Sequence, residues 1–189
     1  MSQIEAVRDD AELVSLCLAG RQGAFDGLVS RHHRRIYNMV YRMVGNSEDA
    51  ADLTQDAFLR AYERLHTFQL DRSFIAWMRA IASNLTIDHL RRRRQPTVSL
   101  DERLESGAQH ADESPGSSPA EHVVLAEDSR RVLSAVQELP EKQRAVLILR
   151  HVEGLKMSEI AQALRMPVGT VKTMLFRGRA AVRKIVGEL

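Results

Sequence analysis

The stretch of residues 156–184 constrains this chain most, because it has the pattern of two short helices joined by a tight turn. Apolar side chains share one face of the first helix at Ile160, Ala161 and Leu164. Ser158 is a plausible N-cap for that helix. The turn at 166–169 contains proline, which the opening turn of a helix tolerates, and glycine, which lets the backbone bend. The sequence therefore predicts a helix-turn-helix.

The second of these helices combines a narrow apolar seam with a strongly basic remainder. The seam positions recur at helical spacing and are Val171, Leu175, Gly178, Val182 and Ile185. No acidic residue lies between Gly169 and Gly187, which suits a rod in the DNA major groove. The side chains expected to meet bases and phosphates are Thr170, Lys172, Thr173, Phe176 and Arg177, with Arg179 following on the phosphates. A solvated basic helix would show the same charge run, but the turn chemistry and an exposed Phe176 favour DNA.

Length and composition limit the class of protein. At 189 residues with 44% hydrophobic content, the chain can form one ordinary domain or two small ones. Its 27 Lys and Arg nearly balance 25 Asp and Glu, so the bunching of charge matters more than the total. The single cysteine, Cys17, excludes an internal disulfide, and no apolar run approaches the ~20 residues that span a bilayer. We expect a cytoplasmic protein without membrane insertion.

Helical spacing recurs along the whole N-terminal half, and strand signals are weak throughout, so we expect an all-α protein. Helices are predicted from an N-cap at Asp10 to Gly20, and over 24–44, 47–65 and 73–95. His32 and His33 in the second helix have no companion ligands at metal spacing. We interpret both as structural or surface histidines and predict no metal site.

The third predicted helix has an outer face that mixes charge with one large apolar residue. Opposite its core stripe lie Asp52, Gln55, Asp56, Leu59 and Arg60, here called the docking face. An ordinary solvated face would also be charged. The leucine set among the charges is the one hint that this face binds a partner.

The fourth predicted helix carries an aromatic side chain and a polar amide and ends in four arginines. Trp77 and Asn84 share a face apart from the buried stripe, and a loop containing Phe68 precedes the helix. An aromatic platform, a polar group and cations would suit an unstacked single strand. The cations would be Arg91, Arg92 and Arg93. In the alternative, Trp77 is core and the arginines form a solvated end that suits the helix dipole. The pattern alone leaves both open, and a second nucleic-acid surface in the chain favours the first.

Residues 96–120 differ abruptly in composition from the rest of the chain. They hold three of the five prolines and five acidic residues against one arginine. Few apolar side chains are available to offset the entropy of ordering, so we expect a flexible acidic linker between two small helical domains at 1–95 and 121–189. The predicted core of the second domain is Leu133, Val146, Leu149, Val152, Leu155, Ile160, Leu164, Val171 and Leu175.

In this order, the motifs resemble those of the bacterial extracytoplasmic-function sigma factors, the two-domain members of the sigma-70 family. The sequence LPEKQRAVLILRHVEGLKMSEIAQALRMPVGTVKTMLFRGRAAV is similar to the fourth conserved region of the family. DLTQDAFLRAYERL and FIAWMRAIASNLTIDHLRRRR are similar to the second. Two motifs in order across a linker are more specific than a helix-turn-helix alone. Gln69-Leu70 replaces a frequent Arg-Gly and Met174 a frequent arginine, which bears on promoter sequence rather than on class.

The resemblance implies transcription initiation: binding of core RNA polymerase, selection of promoters and help in opening the duplex, for a stress or envelope regulon. It implies that the docking face binds the clamp of the largest polymerase subunit, with the flap as a further polymerase contact. It implies that Asn84 lines a pocket for a flipped base of the minus-ten element, near Trp77 and the Phe68 loop. The residues it assigns to the minus-thirty-five element are Lys172, Thr173, Phe176 and Arg177. An anti-sigma factor that wedges between or wraps the domains is the implied regulator.

Three other classes of protein are alternatives to a sigma factor. A stand-alone DNA-binding regulator, whose N-terminal half senses or dimerises, would bind its site tightly without polymerase. A sigma mimic that sequesters an anti-sigma factor usually carries a receiver domain, and no such segment is present. An enzyme is least favoured, because no nucleophile elbow, phosphate loop or metal-spaced cluster occurs, and no cofactor is predicted.

Overall fold

A computed structural model of the chain describes residues 9–94 and 131–187. Within these two ranges the regular structure is entirely helical, which confirms the predicted all-α class. The predicted linker at 96–120, and the start of the helix predicted from 121, lie outside the described residues. None of the helices in the two described ranges is both long and apolar enough to cross a bilayer.

The N-terminal half contains four helices: α1 (Asp10–Leu18), α2 (Ala24–Val44), α3 (Ser47–Glu63) and α4 (Phe74–Arg94), with a 3-10 turn at Leu65–Thr67. The predicted bounds of α2 are correct, because Gly45 takes the left-handed conformation that closes a helix (φ 77°). Asn46 then caps α3 by accepting from the Glu48 and Asp49 amides.

The cap of α1 differs from the prediction by one residue. Asp9, not Asp10, is the N-cap, and its carboxylate accepts from the Glu12 amide at 2.8 Å. Asp10 instead binds α2, where it lies 2.7 Å from Arg31 and 2.9 Å from His32. His32 is buried against Phe74, so it has the structural role expected of it. Either of two adjacent aspartates could cap α1. The long-range contacts of Asp10 with Arg31 and His32, which the local pattern does not show, leave Asp9 as the cap.

The C-terminal half contains α5, of which residues 131–137 are described, α6 (Glu141–His151), α7 (Met157–Ala163) and α8 (Val168–Gly187). Helices α7 and α8 form the predicted helix-turn-helix. The N-cap of α7 is Lys156 rather than Ser158, and the Glu159 carboxylate accepts from the Lys156 amide at 2.5 Å. The glutamate supplies the capping oxygen from inside the first turn, so no serine is needed at the cap itself.

Seven of the nine residues predicted for the core of this half are buried. Val152 is 46% exposed and Leu133 is half-buried, so the prediction was wrong for Val152 and only partly right for Leu133. Helix α6 ends at His151, and Val152 lies in the turn that Gly154 completes with a φ of 72°. The helical register used for the prediction therefore stops one residue before Val152.

The two halves pack directly against each other. Helices α2 and α4 contact α6, and α4 also contacts α7, so that one continuous cluster of buried side chains runs through both halves. Arg144 of α6 is buried at this junction. Its guanidinium donates to the Met43 carbonyl at the end of α2 (2.5 Å) and to the Leu139 carbonyl (3.2 Å), and it also contacts the Gln137 carbonyl. Burial lowers the pKa of Arg144, but the acceptors that surround it are consistent with a charged guanidinium.

Candidate nucleic-acid interface

Helix α8 presents the predicted recognition face to solvent. Lys172, Thr173, Phe176, Arg177 and Arg179 are exposed, and Phe176 is exposed by 75%, while Thr170 is partly buried. The opposite seam is buried at Val171 and Leu175. At Gly178 a side chain would begin 2.7 Å from the Leu147 side chain, so α8 approaches α6 closely there. The apolar seam fixes the helix, and the basic face is left free for a ligand.

Thr173 and Arg179 of α8 are hydrogen-bonded within the chain. The Thr173 hydroxyl donates to the Gly169 carbonyl of its own helix at 3.0 Å. Arg179 donates to the His151 ring at 3.0 Å, which directs it toward α6. Burial lowers the pKa of His151, and the nearby charges of Arg179 and Arg150 lower it further. A neutral His151 can accept this bond, and Arg179 remains exposed at the flank of the recognition face.

The arginines that end α4 are all exposed, but acidic side chains accompany them. Arg93 contacts Asp49 of α3. Arg91 and Arg92 lie near Asp88, with Arg91 3.6 Å from its carboxylate and Arg92 donating to its carbonyl at 3.3 Å. The predicted basic cluster therefore exists, although part of its charge is balanced locally.

The aromatic side chains predicted to form a stacking platform near α4, Phe68 and Trp77, are largely buried. Phe68 is 8% exposed, and its ring lies 5.7 Å from that of Phe74 and 5.2 Å from that of Trp77, centroid to centroid. Trp77 is half-buried against the same rings. Phe68 is thus a core residue in this arrangement and not a free stacking surface, because the short loop after the 3-10 turn folds it back onto α4.

Asn84 lies where the two halves meet. Its side-chain amide donates to the Ala80 carbonyl one turn earlier (2.7 Å) and to the Ala163 carbonyl at the end of α7 (2.8 Å). Asn84 is half-buried by this contact. The side-chain amide that was predicted to bind a base is therefore hydrogen-bonded to a backbone carbonyl of the helix-turn-helix.

The docking face of α3 is exposed as predicted, with Leu59 at 54%. Tyr62, which we did not predict from the sequence, is 60% exposed and borders the same face. Its ring meets the edge of Phe25 at a centroid distance of 5.0 Å. Its spacing of three residues from Leu59 was the available signal, since residues i and i+3 are neighbours on a helix.

An exposed basic helix behind a turn, a second helix that ends in arginines and a separate charged face with a leucine are the surfaces expected of a helical DNA-binding protein that also docks on a partner. Comparison with known proteins agrees with this class. The family model for sigma-70 region 2 matches residues 28–95, and that for sigma-70 region 4 matches residues 129–182.

Full-length relatives match over almost the whole chain. The ECF RNA polymerase sigma factor SigW of Bacillus subtilis is 39% identical, covering 90% of this chain and 92% of its own. The RNA polymerase sigma-H factor of Pseudomonas aeruginosa and the ECF RNA polymerase sigma-E factor of Escherichia coli are each 35% identical, covering 95% of both chains. The chain belongs to the sigma-70 family, in its extracytoplasmic-function group. It is an initiation factor that binds core RNA polymerase and promoter DNA, and it is not an enzyme.

Solved structures show the same fold. CnrH in complex with the cytosolic domain of CnrY has a TM-score of 0.66 and 27% identity, covering 95% of this chain and 97% of its own. The sigma factor RpoE of Bartonella quintana in complex with the anti-sigma factor NepR has a TM-score of 0.67 at 20% identity, covering 86% and 96%.

Proposed function

We propose that three surfaces of this chain have separate roles in transcription initiation. The docking face of α3 binds core polymerase, α4 holds the melted minus-ten strand, and α8 binds the minus-thirty-five duplex. The observation that carries this proposal is the geometry of α8. Its basic face is exposed along a helix whose opposite seam is buried, which is the arrangement that a major-groove helix requires.

On α8, the exposed side chains supply both kinds of DNA contact. Arg177 can donate two hydrogen bonds to the major-groove edge of a guanine, and Phe176 can contact a thymine methyl group. Lys172 offers a mobile positive charge to a phosphate. Base edges would then select the sequence, and the phosphate contacts would set the register.

On α3, the docking face offers two carboxylates at Asp52 and Asp56, which lie one helical turn apart, with Leu59 beyond them. Exposed carboxylates steer a partner that carries Lys and Arg, and a large apolar residue among them supplies area to bury. We propose that the partner surface is the clamp of the polymerase, and that Tyr62 extends the contact.

On α4, the amide of Asn84 can donate to and accept from the edge of an unstacked base, and Arg91, Arg92 and Arg93 can follow the phosphates. Half-buried Trp77 would then support the pocket from below and not stack freely. This role requires that Asn84 exchange its bond to Ala163 for a bond to DNA.

An anti-sigma factor is the regulator we propose, because the solved relatives that share the fold were captured with such partners or with a cytosolic domain. We also propose that the chain acts in the cytoplasm, where polymerase and promoters are located. A stress or envelope regulon remains the proposal for the genes it serves.

The docking proposal is tested by charge reversal. Asp56→Arg should reduce co-purification with core RNA polymerase at least tenfold, because it places a like charge against a basic partner surface, and Asp52→Arg should act in the same way. Glu138→Arg is the matched control, since Glu138 is also exposed but lies in the other half. Normal binding by both α3 variants, with circular dichroism unchanged, would remove the docking face.

A further inference from the structure

The turn that joins α7 to α8 contains an arginine in a strained backbone conformation. Among the non-glycine residues of the two described ranges, Arg165 alone has a positive φ, at 51°. It directly follows Leu164, the C-cap of α7. The Met166 amide donates to the Ala161 carbonyl at 3.0 Å, and the Arg165 amide donates to the Gln162 carbonyl at 3.3 Å. This pair of bonds is the Schellman motif, whose left-handed position is usually a glycine.

The fold itself gains nothing from an arginine at this position. In the left-handed region the Cβ of any residue other than glycine crowds the following carbonyl oxygen, whereas a glycine would make the same two hydrogen bonds without strain. The Arg165 side chain is exposed, and its guanidinium has no hydrogen-bond or ion-pair partner within 9–94 and 131–187. A strained residue whose side chain does not stabilise the fold points to a ligand for that side chain.

The charges around Arg165 indicate that this ligand is an anion. The sequence has no acidic residue between Glu159 and Glu188. The Glu159 carboxylate accepts from the Lys156 amide at 2.5 Å, so it caps α7 and does not neutralise the turn. The turn and the exposed face of α8 therefore form one surface of positive charge, which attracts phosphate groups.

The position of Arg165 favours the phosphates of duplex DNA. Arg165 precedes Val168, the first residue of α8, by three positions, so their Cα atoms lie within about 11 Å of each other. When the start of a recognition helix enters the major groove, the preceding turn lies beside the strand that borders the groove. Phosphates follow each other along that strand about every 3.4 Å of helix axis, and a guanidinium can donate two hydrogen bonds to one of them.

We propose that Arg165 binds a backbone phosphate beside the minus-thirty-five element and so fixes the position of α8 in the groove. This inference rests on the proposed role of α8 and adds to it a contact from outside the recognition helix. A phosphate contact carries no base information, so Arg165 contributes affinity and not sequence preference. A glycine at this position would relax the turn and remove the contact, so stability and DNA binding should change in opposite directions.

The first experiment measures the strain without DNA or polymerase. Arg165→Gly and Arg165→Ala both remove the guanidinium, but only the alanine keeps a Cβ in the left-handed region. The urea midpoint of Arg165→Gly should exceed those of the parent and of Arg165→Ala by about 0.3 M. The gain is modest because a glycine also has more freedom in the unfolded chain.

The second experiment measures binding of the holoenzyme to duplex promoter over a range of salt concentrations, with the minus-thirty-five element intact or scrambled. Arg165→Gly and Arg165→Ala should weaken binding equally, by three- to tenfold, and lower the slope of log affinity against log salt by about one unit. Arg165→Lys keeps the charge and should stay within twofold of the parent. Preference for the intact element should also stay within twofold in every variant. Lys142→Ala removes an exposed cation of α6 and is the matched control, with less than a twofold effect expected.

The possible failures can be told apart. If the parent binds the intact and the scrambled promoter equally, the proposed role of α8 is wrong, and this inference is wrong with it. If the parent prefers the intact element but all Arg165 variants match it in affinity and salt slope, only the inference is wrong, and Arg165 has another partner, such as an acidic protein surface. An equal loss in Lys142→Ala would also refute it, because net charge alone would then explain the effect. So would an Arg165→Gly variant that is no more stable than Arg165→Ala, because the turn would then not be strained.

Discussion

The two proposed DNA surfaces differ in what the free chain does with them. On α8, the basic face is open to solvent, and its anchoring seam is buried on the other side. On α4, Asn84 is bonded to the opposite half, Arg93 contacts an acid, and Phe68 is packed into the core. Both surfaces come from basic amphipathic helices, yet the α8 side chains are mostly exposed, whereas Phe68, Trp77 and Asn84 of the α4 surface are packed against other parts of the chain.

We relate this difference to the two proposed DNA targets. Duplex DNA presents a groove of fixed shape, so a rigid exposed helix can bind it without rearrangement. A melted strand exists only after opening, and a permanently open site for it would bind single strands indiscriminately, because stacking and phosphate contacts tolerate any sequence.

The largest effect is expected where α8 is fixed to its domain. Gly178→Val should lower the free energy of unfolding by up to about 3 kcal/mol, since a Cβ there would begin 2.7 Å from a terminal methyl of the buried Leu147, which would have to shift. Urea unfolding measures it, and duplex binding should fall in parallel. Gly169→Ala is the control in the same helix, because nothing lies within 4 Å of its added Cβ. A Gly178 variant as stable as the control would mean that the seam does not fix the recognition face.

An intermediate effect is expected at Asn84, and only on melted DNA. Asn84→Ala should cost about 1 to 3 kcal/mol in capture of the melted strand, because a buried base edge loses its hydrogen-bond partner. Permanganate reactivity of the melted bases in the promoter complex measures opening, and a gel-shift assay with closed duplex measures initial binding. Impaired opening with normal initial binding is the expected pair of results. Unchanged permanganate reactivity would take Asn84 out of the site.

The smallest effect is expected from one exposed cation of α8. Lys172→Ala should weaken holoenzyme binding to duplex promoter by about 1 kcal/mol and reduce the slope of log affinity against log salt by about one unit, because one phosphate contact is lost. Opening, once the complex has formed, should be unaffected, which is the reverse of the Asn84 pattern. An identical salt slope would place Lys172 away from the DNA.

Much of the fold was predictable because the periodic pattern of an amphipathic helix is visible within a short stretch of sequence. The buried seam of α8, the bounds of α2 and the outward docking face of α3 all follow from side chains three and four residues apart. The same local signals placed the N-cap of α1 at Asp10 instead of Asp9, because two adjacent aspartates are equally good caps. Val152 was misassigned because a helical register was continued past the end of its helix.

The junction between the halves could not be predicted from the sequence. Asn84 and Ala163 are 79 residues apart, and Arg144 reaches the Met43 carbonyl over 101 residues. In both contacts the acceptor is a backbone carbonyl, which every residue carries and which leaves no trace in side-chain pattern. Arg79 and Glu153 are a charged pair that periodicity would assign to separate surfaces. The state of the Asn84 site therefore became visible only in three dimensions.

The separate action of the two proposed DNA surfaces is tested by the distance between spin labels at the exposed positions Ser47→Cys and Ala180→Cys, in a Cys17→Ser background, when core RNA polymerase and promoter DNA are added. We expect the short distance of the free protein to be replaced, at saturating polymerase and DNA, by a distance that is several tens of ångströms longer. A short distance that persists in the fully bound complex would mean that α4 and α8 do not bind separate promoter elements.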